Sequence, residues 1–256
     1  MRVETLKNVP AGMISCPDKR SLFSEVERRL KKPEGFSLAT LNLDHIVKLR
    51  RDPMFRAAYD AQDLVVADGN PIVWLCRLAG KPVELIPGSE LVIPLAEIAA
   101  RNEVAVALLG SREEVLAVAA RELEAKCPGL RIVAQIAPAM GYDPDGDEAA
   151  SHLATIASTD AGLCFLALGA PKQELLAARG RKLAPDVGFV SIGAGLDFLS
   201  GHQRRAPTWV QKLALEWLWR AGSDPRRLMG RYVACAMILP RLVRDARVAR
   251  RKGRTI

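Results

Sequence analysis

Short apolar, β-rich runs alternate with helical patterns through the middle of this chain, and that alternation constrains its fold more than any other feature. The runs Ser37–Leu41, Leu64–Ala67, Val104–Leu109, Arg131–Ile136, Leu163–Leu168 and Val187–Ile192 read as strands. Between them Asp44–Ala61, Pro71–Leu78, Ser89–Arg101, Glu113–Lys126, Glu148–Ala157 and Pro171–Leu183 read as helices. Short apolar strands separated by helices build βαβ units, so the expected fold is α/β: a Rossmann-like, mainly parallel sheet with helices on both faces.

A chain of 256 residues can bury such a core, and 49% hydrophobic with 26% charged residues excludes disordered and collagen-like classes. The longest strictly apolar run, Tyr232–Pro240, is less than half the roughly 20 residues of a membrane-crossing helix. Met1–Pro10 carries Arg2, Glu4 and Lys7 where a secretory signal would be apolar, so a cytoplasmic location is expected. Cys16, Cys76, Cys127, Cys164 and Cys235 form no C-x-x-C pair, and His45, His152 and His202 are scattered. That pattern reads as buried small side chains in a reducing compartment, with no metal site.

Charge divides the chain. From Arg204 to Ile256 fourteen Lys/Arg face three acids, a net of +11, so the remainder carries −3 of the overall +8. Within this tail Trp209, Val210, Leu213, Trp217 and Leu218 recur at helical spacing. After a break at Gly222-Ser223-Asp224-Pro225 come Leu228, Tyr232, Ala236, Leu239 and Leu242. Arginine-rich helices with Trp and Leu opposite suit an anionic membrane surface; docking on the body is the alternative, and no finger or helix-turn-helix motif supports nucleic acid. The expected organisation is a variable segment 1–35, an α/β core 36–203 and a basic amphipathic helical appendage 204–256.

Several strands end in a turn that starts a helix: Asp68-Gly69-Asn70-Pro71, Gly110-Ser111, Gly169-Ala170-Pro171 and Gly193-Ala194-Gly195. Ligands of open α/β sheets bind beyond those carboxyl ends, so Gly69, Gly110, Gly195 and the nearby Asp197 are candidate substrate-site residues. Neither G-x-G-x-x-G after the first strand nor a P-loop occurs, which argues against a standard dehydrogenase or NTPase. Asp68 caps a buried strand, where partial desolvation suits a general base; turn chemistry is the plainer alternative. Thr40 and Asn42 stand two apart at the end of a strand and suit sugar hydroxyls, although Asn42 equally fits as a helix cap. Pro171 opens a helix with Lys172 and Gln173 in its first turn. Asp143-Pro144-Asp145-Gly146-Asp147 lacks calcium-loop spacing and reads as a polar helix lead-in.

Taken in order, Thr40-Leu41-Asn42 with His45, Ala67-Asp68-Gly69, Pro87-Gly88-Ser89, Leu108-Leu109-Gly110, Gly141-Tyr142, Gly169-Ala170-Pro171-Lys172-Gln173-Glu174, Gly193 through Gly201, Arg204-Arg205-Ala206-Pro207, and Leu215-Glu216-Trp217-Leu218 with Pro225-Arg226-Arg227 resemble the WecG/TagA/CpsF glycosyltransferase family, glycosyltransferase family 26. The resemblance covers about three-quarters of the chain, Phe36 to Tyr232. It implies an inverting, metal-independent transferase without a cofactor. Such an enzyme moves a sugar from a UDP-sugar to a polyprenyl-diphosphate-linked sugar in bacterial cell-surface or exopolysaccharide biosynthesis, peripherally on the inner face of the plasma membrane.

Carried over by position, the resemblance makes Asp68 the general base, Thr40 and Asn42 pocket residues, and Gln173 a polar group near the transferred sugar. It makes the C-terminal arginines contacts for membrane and diphosphate. Stabilising the departing UDP without a metal calls for bidentate Arg–phosphate pairs, and Arg227 and Arg231, four apart on one helical face, are the preferred candidates. Family members commonly carry a basic residue where this chain has Leu85, and Asp where it has Glu90. That leaves the donor open between an N-acetylmannosamine type and a glucose type. An inactive nucleotide-binding scaffold is the alternative reading, and self-association through apolar tail surface is left open.

Overall fold

The computed structural model describes residues 10–203 and 225–253; of residues 225–228 and 253 it describes the backbone only. Six strands form one sheet: β1 Phe36–Leu41, β2 Leu64–Ala67, β3 Ala105–Gly110, β4 Ile132–Ile136, β5 Ala161–Ala167 and β6 Gly188–Ser191. Every pairing is parallel, in the order β2-β1-β6-β5-β3-β4. Five of the six are buried along their whole length or nearly so, which is why they read as apolar runs and not as alternating patterns.

The described helices, in chain order, are α1 Pro10–Met13, α2 Lys19–Lys31, α3 Leu43–Leu49, α4 Pro53–Asp60, α5 Asn70–Leu78, α6 Gly88–Arg101, α7 Glu113–Lys126, α8 Asp147–Ala157, α9 Lys172–Leu183, α10 Gly195–Leu199 and α11 Pro225–Gly253. Phe36, Leu38, Leu108, Phe165 and Val190 face one side and bury Leu22 and Val26 of α2, Leu95 of α6, Leu116 of α7 and Leu196 of α10. On the other side Leu41 and Val65 meet α3, α4, α5 and α11 through Ile46, Phe55, Ile72 and Leu242. Leu109, Cys164 and Leu166 meet α8 and α9 through Leu153, Leu176 and Ala177.

The chain therefore leaves β1 and β5 toward one face, and leaves β3 and β6 toward the other. Divergence of the outgoing chains opens a crevice at the carboxyl edge around β6, where open α/β sheets bind ligands.

Three local results differ from the pattern reading. The helix expected over Asp44–Ala61 is two helices, because Asp52 precedes Pro53 and leaves the helical region. Its carboxylate caps the second by accepting from the Met54 and Phe55 N–H groups at 2.9 and 3.0 Å. Helix α2, within the segment taken as variable, is part of the main core. In α11 the buried stripe is Cys235, Leu242, Ala246 and Ala249, and Ala236 is exposed, so the apolar face is rotated from the expected one. The tryptophans between Trp209 and Trp219, Arg204-Arg205-Ala206-Pro207 and Leu215–Leu218 lie outside the described residues. All five cysteines are buried and free.

Gly110 shows how tightly the carboxyl edge is drawn. Its φ is +118°, and a Cβ there would fall on the Ala167 carbonyl, where the Ser111 N–H already donates at 3.0 Å. An unfavourable backbone region and a backbone clash coincide, so Gly110→Ala is expected to lower stability by about 3 kcal/mol, read as the shift of the urea midpoint.

Candidate active site

The expected site residues gather along the carboxyl edge in strand order. Beyond β2 the Asp68 N–H donates to the Leu41 carbonyl at 2.8 Å, extending the β1–β2 ladder by one residue, and Gly69 follows at φ +108° as the cap of α5. Buried Thr40 donates from Oγ1 to Asp68 Oδ2 at 3.3 Å. Asn42 caps α3: its Oδ1 accepts the His45 N–H at 3.0 Å, and its Nδ2 lies 3.2 Å from His45 Nε2. Both polar atoms of that amide are thus engaged within the protein.

The Leu85–Glu90 stretch, where this chain departs from the family pattern, borders the same residues. The Ile86 N–H donates to the Ala67 carbonyl at 2.8 Å, and a Cβ on Gly88 would lie 3.3 Å from Thr40 Cγ2. Glu90 pairs with Lys19 of α2 at 3.4 Å.

At the other end of the edge, beyond β3, β4 and β5, a cleft of about 370 Å³ is lined by Ser111, Arg112, Tyr142, Lys172, Asp197 and His202 among others. Ser111 Oγ donates to Asp197 Oδ1 at 3.1 Å and ties the turn after β3 to α10. Gly195 opens α10, buried so closely that a Cβ would lie 2.8 Å from Val92 Cγ2. At about 4.8 Å per strand, β2 and β3 are roughly 19 Å apart, room for an extended nucleotide diphosphate-sugar between Asp68 and the cleft. A second cleft, of about 360 Å³, lies at the amino edge around Glu34, Glu103 and Asp186, away from all these residues.

Gln173 stands between the two ends. It is 2% exposed, its Oε1 accepts the Gly193 N–H at 3.1 Å, and its Nε2 donates to Glu174 Oε1 at 2.8 Å. Glu174 is wholly buried, and burial pushes its carboxyl up to about 7 against the pull of Gln173, its own backbone N–H and Lys48. Its Oε2 has no hydrogen-bond partner. Nearby, His45 is held neutral: burial, reinforced by Lys48, lowers its pKa to about 3, with Asp44 opposing. Its Nδ1 lies 3.3 Å from the hydroxyl of Tyr59.

A charged chain joins α11 to this site. Arg231 Nε lies 3.2 Å from Asp44 Oδ2, Asp44 pairs with Lys48 at 2.9 Å, and Lys48 donates to the Ala170 carbonyl at 2.9 Å. Arg227 lies one turn before Arg231 on the same helix, and its side chain is outside the described residues. Among the described residues no three His, Cys, Asp or Glu side chains are grouped to hold a metal ion, and no helix is long and apolar enough to cross a membrane.

The sequence motifs include Glu174 and His45 without giving either a role, and neither Tyr59 nor the Asp44–Lys48 pair stood out in the sequence. The i, i+4 spacing of Asp44 and Lys48 was readable as a helical ion pair. The burial of Glu174 was not, because a first-turn glutamate normally marks a solvated helix start.

Glu174 and His45 have opposite linkage to pH. Glu174, raised from an ordinary 4.5 to about 7, contributes stability present below 4.5 and lost as pH rises to about 7. His45, lowered from 6.5 to about 3, contributes stability present above 6.5 and lost as pH falls toward 3. Glu174→Gln removes the Glu174 contribution, so its stability relative to the parent is expected to rise between pH 4 and pH 8, by up to about 3 kcal/mol. Urea denaturation of both proteins at the two pH values reads this, and a difference independent of pH would contradict it.

Comparison with known proteins shows the family. An N-acetylglucosaminyldiphosphoundecaprenol N-acetyl-beta-D-mannosaminyltransferase of Bacillus spizizenii (strain ATCC 23059 / NRRL B-14472 / W23) is 29% identical over 199 residues, covering 77% of this chain and 75% of the relative. The description of the glycosyl transferase WecG/TagA/CpsF family matches residues 6–253, from before α1 to the last turn of α11. With a match that takes in every strand and the whole carboxyl edge, the chain belongs to the WecG/TagA/CpsF family of glycosyltransferases.

Proposed function

We propose that this glycosyltransferase moves a sugar, with inversion, from a UDP-sugar to a polyprenyl-diphosphate-linked sugar, and that Asp68 is its general base. The observation that carries the reading is the position of Asp68. It sits at the tip of β2, bonded by Thr40 and bordered by the Ile86–Gly88 segment, on the same edge as a polar cleft sized for a nucleotide. The acceptor hydroxyl oxygen attacks the anomeric carbon as the bond from that carbon to the diphosphate oxygen breaks. The hydroxyl proton passes to the Asp68 carboxylate, and UDP departs with the electron pair.

Charge developing on UDP needs fixed cations. Arg112 and Lys172 line the cleft. In this reading they serve UDP, and Arg231 and Arg227, expected from the sequence at the departing UDP, serve the second diphosphate, that of the lipid-linked acceptor. Arginine and lysine take the part a metal would play in this scheme. The name of the Bacillus relative favours N-acetylglucosaminyl-diphosphoundecaprenol as acceptor in cell-envelope biosynthesis. The donor is N-acetylmannosamine-type or glucose-type, because Leu85 and Glu90 alter the segment beside the base.

Helix α11 suits the inner membrane surface that such an acceptor requires. Met229, Val233 and Met237 are exposed at successive turns, and Arg241 and Arg244 further along are 67% and 72% exposed.

Transfer from a panel of UDP-sugars to a short polyprenyl-diphosphate N-acetylglucosamine is expected with the parent. Folded Asp68→Asn is expected to lose about 10²- to 10⁴-fold in rate; an equal rate would remove Asp68 from the role. UDP, and not NAD(P), is expected to raise the melting temperature. Binding to vesicles containing anionic lipid is expected to weaken as salt rises; binding equally strong to neutral vesicles would remove the electrostatic contribution of α11.

A further inference from the structure

The turn Gly193-Ala194-Gly195 delivers Asp197 to the cleft. Downstream it is anchored by Gly195 packed against Val92, by buried Leu196 and by the Ser111–Asp197 hydrogen bond; its upstream end is set at Gly193. Gly193 has φ +56°, and the turn closes on itself through the Gly195 N–H donating to the Ile192 carbonyl at 3.1 Å. At that upstream end the Gly193 N–H donates to Gln173 Oε1 at 3.1 Å.

An N–H can only donate, so the oxygen of the Gln173 amide must face Gly193, and the amide nitrogen must then face Glu174. Glu174 Oε1 accepts that nitrogen at 2.8 Å in a pocket closed to water. If Oε1 could not accept, Nε2 would be a buried donor with no partner, at a cost that favours swinging the amide away from Gly193. A neutral acid protonated on Oε2 still accepts through Oε1, and burial holds Glu174 in that form up to about pH 7.

We propose that Glu174 is a positioning residue for the nucleotide: through Gln173 it holds the Gly193–Asp197 turn in the conformation that the bound UDP moiety requires. Glu174 touches no substrate. It acts by preorganising the upstream, positive-φ end of that turn at Gly193. The inference rests on the UDP-sugar reading above and specifies which buried group shapes the nucleotide end of that site.

The test measures UDP affinity by titration calorimetry, together with donor KM and kcat, for the full chain and for Glu174→Gln and Glu174→Met at pH 6.5. Glu174→Gln keeps an acceptor oxygen and is expected to stay within about twofold of the parent. Glu174→Met has similar length and no acceptor; it is expected to weaken UDP binding and raise donor KM about tenfold, the loss of one buried hydrogen bond, with kcat within about twofold. A merely structural role would lower the active fraction and the melting temperature and leave the dissociation constant of the folded protein unchanged.

Parent-like UDP affinity in folded Glu174→Met overturns the proposal, and so does an equal loss in Glu174→Gln. If Glu174→Met does not fold, Gln173→Met is read in its place, since it removes both hydrogen bonds; unchanged UDP affinity there overturns the proposal as well. A parent that binds no UDP overturns the nucleotide reading itself, an outcome visible before any variant is made.

Discussion

Parallel pairing of all six strands is the constraint on which the rest of the molecule depends. It sends every strand-to-helix turn to one edge of the sheet, and from β1 through β6, β5 and β3 to β4 the strand order sends successive turns to opposite faces. Asp68, Thr40, Gly193, Gln173 and Ser111 come from five different strand ends, yet they share one crevice for that reason. None of them had to be brought there by a long or unusual loop. The helices on both faces exclude water from the strands, and so the polar groups at the edge must find partners among themselves.

Those partners explain much of the local chemistry. Asn42, Asp44, His45, Lys48, Gln173 and Glu174 are close-packed polar residues beneath the crevice, each engaged by a neighbour. A network of this kind is stiff when satisfied and costly when one member is missing. Burial favours the neutral form of both His45 and Glu174, the one by losing a proton and the other by keeping it up to about pH 7. The charged members, Asp44 with Lys48 and Arg231, sit nearer the surface, where α11 closes over them.

How much of this was legible depended on range. The strands were readable because burial on both faces leaves unbroken apolar runs, and Glu113–Lys126 was readable from its period. The Asp44–Ala61 pattern misled because the helical period persists across Asp52-Pro53, although the Asp-Pro pair itself signals the break. Asp68, Thr40 and Gln173 could be picked out as residues of strand ends, and the family motifs raised them above other turns. Nothing local reveals that β6 inserts between β1 and β5, and so nothing local could say that Gln173 reaches Gly193 or that Lys48 reaches Ala170. The burial of Glu174 was equally illegible, since its surroundings are set by long-range packing such as that of α4, just beyond which Gln62 donates to the Glu174 carbonyl from more than a hundred residues away in the chain.

The insertion of β6 also sets an order of assembly. Strand β1 pairs with β2 almost at once, but its other edge waits for Gly188–Val190, which register against Phe36–Leu38. On a growing chain that edge stays open while about 150 residues are added, a long exposure for a hydrophobic strand. The catalytic edge therefore cannot exist in any N-terminal fragment that stops short of β6. Termination between Leu41 and Gly188 leaves an unpaired strand edge prone to aggregation, and no partially active enzyme.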